Sequence, residues 1–299
     1  MLEGVAAIMR VEASPVDNTI SVSSVVDIVI PVYANEAQVR ACLSSVLAHH
    51  NESQGDIVVV NDCSPEPAIH QYLAALADQA LITLLTNEQN EGFIVSCNRG
   101  AAVHPDNDFV LLNADTEVHG NWLDRMVSHI EPGAKVATVT PFSNNATIAS
   151  YPTGVTKPET DEAVPISSID QAMASANAGS SVELPTAIGF CMFVSREAWR
   201  ITDGFDKRYG RGYGEENEFC LATAALGWRH LLACDVFVYH AGGGSFGVES
   251  TKRKAEAQKI LDQRYPDFSR QVQEWIREDP AQPARLRCTI ERLTRFTGP

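Results

Sequence analysis

Two clusters of carboxylates and one histidine carry the chemistry that this sequence offers. Asn113-Ala-Asp-Thr-Glu117 follows directly on the apolar run at 109–112. Carboxylate and amide oxygens grouped in this way suit a hard divalent cation, Mg²⁺ or Mn²⁺, of the kind that a diphosphate also ligates. The same residues would equally make a plain strand-to-helix turn, with Asp115 or Thr116 capping a helix over 122–129. Glu215-Glu-Asn-Glu218 comes straight after a glycine-rich stretch at 204–214. Acidic residues favour helix N-termini through the macrodipole, but a carboxylate at a site that opens and closes can instead take a proton from an alcohol. His240 ends Asp235-Val-Phe-Val-Tyr-His240. Its neutral imidazole is either a core group or a further ligand beside the acidic cluster. Asp62, in Asn61-Asp-Cys-Ser-Pro65, fits an Asx-turn or a binding residue.

The elements that must position these groups follow from the hydrophobic pattern. Short apolar strands at 26–30, 56–60, 81–85 and 109–112 alternate with helical patterns at 35–49, 67–79 and 92–103. That alternation predicts a parallel, doubly wound sheet. Beyond Pro132 the rhythm loosens: strands at 136–140, 188–194 and 235–240, a long loop over 151–186 with a helix at 169–178, and a helix at 215–226. Further helices are expected at 249–263, 272–276 and 286–293. Residues 1–24 read as an extension, 25–248 as the main domain and 249–299 as a helical segment. Tyr33 and Glu36, Asp62, Asn113 with Asp115, and His240 all fall just past strand ends. Polar groups in register along one edge of a parallel sheet describe a crevice that holds a nucleotide. Gly242-Gly-Gly-Ser-Phe-Gly247 spells G-x-G-x-x-G, yet lacks the following strand and ribose-binding acid of a dinucleotide site. Its glycines suit close passage of the backbone past a ligand, or loop movement.

With 299 residues, 44% hydrophobic and 20% charged, the composition is that of a globular protein with a filled core. A net charge of −15 argues against nucleic acid or an anionic bilayer as the main partner. No apolar run is long enough for a transmembrane segment, and no secretion signal is visible. Seven cysteines without a C-x-x-C pair read as reduced core thiols of a cytoplasmic protein.

Five stretches, taken in order, resemble glycosyltransferase family 2, the inverting GT-A enzymes. They are Asp27-Ile-Val-Ile-Pro-Val-Tyr-Ala-Asn-Glu36, Val58-Val-Val-Asn-Asp-Cys-Ser64, Asn90-Glu-Gly-Phe93 with Asn98-Arg-Gly100, Leu112-Asn-Ala-Asp-Thr-Glu-Val118, and Gly214-Glu-Glu-Asn-Glu-Phe-Cys-Leu221. Pro141-Phe-Ser-Asn-Asn-Ala-Thr147 and Tyr239-His240 are similar to bacterial surface-polysaccharide members, rhamnosyltransferase-like ones among them. The resemblance implies a GT-A fold: a mostly parallel central sheet flanked by helices, with a nucleotide-sugar half at 25–130 and an acceptor half at 131–248. It implies that Asp62 binds the donor's base in a pocket lined by Pro31, Val32, Tyr33 and Glu36. Asn90, Arg99, Asn113 and Ala114 would also lie against the donor, with Arg99 toward the diphosphate. Asp115 would be the principal ligand of Mn²⁺ or Mg²⁺ and His240 another. Glu216 would be the catalytic base, with Glu215 the alternative. The implied partners are a UDP- or dTDP-sugar donor and a glycan or lipid-linked saccharide acceptor, the latter calling for peripheral association with the inner face of the membrane. Two positions depart from the family pattern. Asn113 stands where the D-x-D motif has its first aspartate, and Glu215-Glu216 replaces Glu-Asp. The competing reading is a non-catalytic carbohydrate or nucleotide-sugar binding module on the same fold. A sugar-nucleotide pyrophosphorylase would need a Gly-rich, basic loop where this chain has Pro31-Val-Tyr-Ala-Asn35.

Overall fold

The structure is a computed structural model that describes residues 25–51, 54–153, 165–242 and 248–296. The first strand is β1 (Val26–Val32), whose successive side chains feed two different cores. Ile28, Ile30 and Val32 belong to one cluster, and Val29 to the cluster on the opposite face. A strand buried on both sides must be apolar throughout, which is why this half of the chain reads as unbroken hydrophobic runs. After α1 (Glu36–His49) come β2 (Ile57–Asn61), α2 (Pro67–Asp78), β3 (Thr83–Thr86), α3 (Phe93–Ala101) and β4 (Asp108–Leu112). β3, β2, β1 and β4 lie side by side, all parallel. Local chemistry starts the helices: Asn35 caps α1 by accepting from the Gln38 N–H, and Pro67 opens α2. Gly100 lets α3 lie against β1, since a Cβ there would fall 2.4 Å from Val29 Cγ1.

The second half runs β5 (Thr116–Glu117), α4 (Trp122–Ser128), β6 (Val136–Phe142), α5 (Ile166–Asn177), β7 (Ser181–Glu183), β8 (Cys191–Val194) and α6 (Arg196–Thr202). It continues with α7 (Glu215–Ala224), β9 (Arg229–Phe237), β10 (Tyr239–His240), α8 (Val248–Arg264), α9 (Phe268–Glu278) and α10 (Gln282–Phe296). Among the described residues, eight strands form one sheet in the order β3-β2-β1-β4-β8-β6-β9-β7. β8 runs antiparallel between β4 and β6, and β7 runs antiparallel along β9. The sheet is therefore mostly parallel, with its sense broken at β8 and at the edge strand β7. β5 and β10 form a separate two-stranded ribbon.

Three elements differ from the sequence expectation. The strand expected at 235–240 is two: β9 starts back at Arg229, and β10 turns away to pair with β5. The strand expected from 188 begins only at Cys191. The glycine-rich stretch at 204–214, read as a flexible loop, contains a 3₁₀ turn at Lys207–Tyr209 and buries Tyr209, whose hydroxyl donates to Glu218 Oε2 at 2.8 Å. Glu218 also accepts from Tyr265 and pairs with Arg264 at 2.6 Å, so the segment is fastened to the end of α8. Residues 243–247 of the other glycine-rich loop lie outside the described residues.

Ionic hubs hold the layers together. Arg196, buried over the Phe109 ring, donates to the carbonyls of Ala101, His104 and Asn107, closing the C-terminal end of α3. Arg125 ties α4 to α5 through Asp170 at 2.6 and 2.8 Å. Among the described residues no helix is long and apolar enough to cross a membrane.

Candidate active site

The ribbon of β5 and β10 places the metal candidates. His240 is in register with Thr116 and Tyr239 with Glu117, so Asp115 and His240 become neighbours. His240 Nε2 lies 3.3 Å from Asp115 Oδ2, and the Asp115 carbonyl accepts the Ala241 N–H at 2.9 Å. His240 Nδ1 is 2.8 Å from the Asn145 carbonyl oxygen. A carbonyl only accepts, so Nδ1 carries a hydrogen, and Nε2, facing the carboxylate, takes either a proton or a metal ion. Two electron-pair donors at 3.3 Å repel unless a cation or proton lies between them. That arrangement fits a divalent cation. The imidazole stacks on Phe190 with centroids 5.3 Å apart and planes 17° apart. Phe190 is itself fixed to the strand end by its carbonyl, which accepts the Asn113 N–H at 2.8 Å. Asn113 and Ala114 lie half-buried in the same turn. Among the described residues no group of three or more His, Cys, Asp or Glu could hold a metal. A cation at Asp115 and His240 would therefore draw its remaining oxygens from a bound ligand and water.

The acid pair opens α7. Gly214, at φ 91°, precedes it, and a Cβ there would lie 3.0 Å from the Tyr209 ring. The Gly214 N–H donates to Glu216 Oε2 at 3.2 Å. Glu216 faces Gly189, close enough that a Cβ on Gly189 would sit 3.9 Å from its Cβ and Cγ. Gly189 and Phe190 thus connect the acid to the metal candidates. Glu215 is 4% exposed, and among the described residues its Oε2 has no hydrogen-bond partner. Burial pushes the Glu215 carboxyl well up, and the neighbouring Glu216 charge pushes the same way. Glu216 is also raised by burial, against the pull of the Gly214 N–H. Glu216 is the more accessible of the two.

At the donor end, the Asp62 carboxylate is occupied by its own chain. Oδ1 accepts from Asn87 Nδ2 at 2.7 Å and from the Glu91 N–H at 2.8 Å; Oδ2 accepts from the Gly92 N–H at 2.8 Å. Arg99 donates to the Thr86 carbonyl and to Asn87 Oδ1, at 2.7 and 2.5 Å. The Asn90 side chain receives Arg211. Asp62, Arg99 and the loop at 87–92 therefore form one network through Asn87. A second network joins the end of β1 to α2: Glu66 accepts the Asn35 N–H at 2.6 Å and the Glu36 N–H at 3.1 Å. Val32 is buried, Pro31 half-buried and Tyr33 exposed, while Glu36 pairs with Arg40 at 2.7 Å. Sequence reasoning overlooked Glu66, Asn144, Asn145 and Phe190. The one available signal was that Asn144 and Asn145 fall inside the quoted Pro141–Thr147 stretch.

A sequence model described as "Glycosyl transferase family 2" matches residues 27–201. The chain belongs to glycosyltransferase family 2. His240 and Glu216 lie beyond the matched span. Solved structures agree on a GT-A fold. GalNAc-T7 with UDP, GalNAc and Mn²⁺ superposes with a TM-score of 0.60 at 17% identity, over 81% of this chain and 50% of that one. The chain thus spans about half the length of the GalNAc-T7 structure. The mannosyltransferase PcManGT from Pyrobaculum calidifontis, in complex with GDP-Man and Mn²⁺, gives a TM-score of 0.55 at 16% identity, over 92% and 76%. S. aureus TarS 1–349 gives 0.51 at 13%, over 90% and 80%. Among curated protein sequences none matches the chain.

Proposed function

We propose that the protein is an inverting glycosyltransferase that moves a sugar from a nucleoside-diphosphate donor to an acceptor hydroxyl. One observation carries this reading: Asp115 Oδ2 and a tautomer-fixed His240 Nε2 face each other at 3.3 Å. Gly189 and Phe190 link that pair to Glu216. Asp115 and His240 would hold Mn²⁺ or Mg²⁺, with Asn113 offering a neutral amide oxygen in the same turn. When bound, the cation offsets negative charge on the diphosphate.

Glu216 accepts the proton of the acceptor hydroxyl as that oxygen attacks the anomeric carbon. The bond from the anomeric carbon to the diphosphate oxygen breaks in the same displacement, with its electron pair leaving on the diphosphate. A single displacement inverts the anomeric centre. The raised pKa of Glu216 makes it a better proton acceptor than a solvated carboxylate once it is ionised. The donor's base and ribose would lie along the ends of β1 and β2, beside Pro31, Val32, Tyr33 and Glu36. Asp62 acts there through the loop it holds, carrying Asn90, while Arg99 braces the same loop through Asn87. UDP and dTDP are the favoured carriers, and the acceptor is a glycan or a lipid-linked saccharide met at the inner membrane face.

A donor screen tests the reading: turnover of UDP- and dTDP-sugars with Mn²⁺ or Mg²⁺, with and without chelator, by the wild type and Asp115→Ala. Turnover of one donor, abolished by chelator and in Asp115→Ala, is the expected result. Binding of a donor without turnover, with acceptors supplied, would favour the non-catalytic module.

A further inference from the structure

His240 is gripped by its own chain more firmly than the end of a two-residue strand requires. Its N–H donates to Asn144 Oδ1 at 2.8 Å, and its carbonyl accepts from Asn144 Nδ2 at 3.0 Å. The side chain of Asn144, itself buried, thereby replaces a neighbouring strand for β10. Its neighbour Asn145 supplies the carbonyl that sets the imidazole tautomer. Gly242 completes the fit: it sits at φ 63°, and a Cβ there would fall 2.2 Å from Asn145 Nδ2.

Asn144 and Asn145 belong to a loop that closes on itself. The Ser143 N–H donates to the Ala149 carbonyl at 3.1 Å, the Tyr151 N–H to the Ser143 carbonyl at 2.8 Å, and the Ala146 N–H to Ser150 Oγ at 2.9 Å. What fixes this loop comes from the far end of the chain. Arg285, on α10, donates to the carbonyls of Ser150 and Ile148 at 2.8 and 2.7 Å, while its guanidinium lies over the Phe142 ring and pairs with Asp279. Arg285 is buried, so the cation is committed to these partners.

We propose that Asn144 is a positioning residue for His240, backed by Arg285, so that the last helix is a working part of the metal site. The inference rests on Asp115 and His240 being the metal ligands. Hydrogen-bond partners that orient a ligating histidine commonly change metal affinity by about 10–100-fold when removed. Asn144 controls both the backbone position of His240 and, through the adjacent Asn145 carbonyl, the direction in which Nε2 points.

The test is the Mn²⁺ affinity of the full chain, read by electron paramagnetic resonance with Mn²⁺ alone and with UDP or dTDP, alongside thermal melting. Asn144→Ala is expected to bind Mn²⁺ at least about ten-fold more weakly than the wild type while melting within a few degrees of it. Asn144→Asp, which keeps the acceptor for the His240 N–H but loses the donor, should fall between the two. Excess Mn²⁺ should restore turnover in both. Arg285→Lys keeps the charge but cannot span two carbonyls, and should weaken Mn²⁺ in the same direction if Asn144→Ala fails to fold. Equal Mn²⁺ affinity in the wild type and the folded variants would overturn the positioning role. A wild type that binds no Mn²⁺ with either nucleotide would overturn the metal reading beneath it.

Discussion

Asp115 and His240 lie far apart in the chain, yet a two-stranded ribbon sets His240 Nε2 3.3 Å from Asp115 Oδ2. The Asn145 carbonyl holds the opposite ring nitrogen, so Nε2 has one direction to face. As the proposed metal ligands, such a pair would supply two good donor atoms and little negative charge. Asn113 is the neighbour that could add more. Asn113→Asp is therefore expected to tighten Mn²⁺ several-fold, since affinity for hard cations rises with the number of charged oxygens. Titration of Mn²⁺ with nucleotide present measures it, and an unchanged affinity would mean that the Asn113 side chain points away from the ion.

The two glutamates at the start of α7 make opposite demands on pH. As the proposed base, Glu216 must be ionised to accept a proton, and burial raises its pKa. Activity should fall as pH drops through a value above the ordinary carboxylate range of about 4.3. A kcat/KM profile flat down to that range would contradict the assignment.

Glu215 bears on stability instead. Its folded pKa is raised, so its contribution is fully present below the unfolded pKa and is lost as pH rises through the folded one. Glu215→Gln and the wild type should melt alike near pH 4, with the variant gaining on the wild type as pH increases. A constant offset across that range would rule out a titrating Glu215.

Asp62 tests whether the donor pocket depends on a loop clamp. Its carboxylate takes three N–H groups from Asn87, Glu91 and Gly92 while buried. Asp62→Asn cannot accept all three, and hydrogen bonds to a charged acceptor contribute roughly 1.5–3 kcal/mol each. Urea unfolding should show a loss of about 2 kcal/mol, and nucleotide affinity should fall with it. Unchanged stability would show that the loop does not need the charge.

Much of this was legible in the sequence, for reasons that also mark where legibility ended. β1, β2 and β4 are buried on both faces, so their apolar runs announced a parallel sheet. β9 was half missed because its first half, 229–234, sets a buried His230 among apolar residues, ahead of the buried Asp235 where the expected strand began. Each polar group is satisfied by a distant partner: Thr138 and the Cys220 carbonyl for His230, His129 and the Gly179 N–H for Asp235. No local pattern announces such partners. The glycines at 204–214 suggested motion, but the Tyr209–Glu218 and Arg264–Glu218 contacts that fasten the segment are tertiary. The same division runs through the site. Asp115 and His240 could be picked out by type, whereas Asn144, Asn145 and Phe190 act only through contacts that folding creates.

Gly189 offers a probe of the space in front of the base. A Cβ there would rest at ordinary contact distance from Glu216, so alanine is accommodated. Gly189→Leu would project a branched side chain toward the carboxylate and should raise the acceptor KM or lower kcat, with a small change in melting. Normal kinetics in Gly189→Leu would place the acceptor elsewhere.

The most direct measurement is the anomeric configuration of the first sugar released. With the donor that turns over, water or an acceptor attacks under metal, and proton NMR reads the product before mutarotation. An α-linked donor should give the β product first, and Glu216→Gln should lose this turnover. An initial α product, or full transfer by Glu216→Gln, would contradict a single displacement with Glu216 as the base.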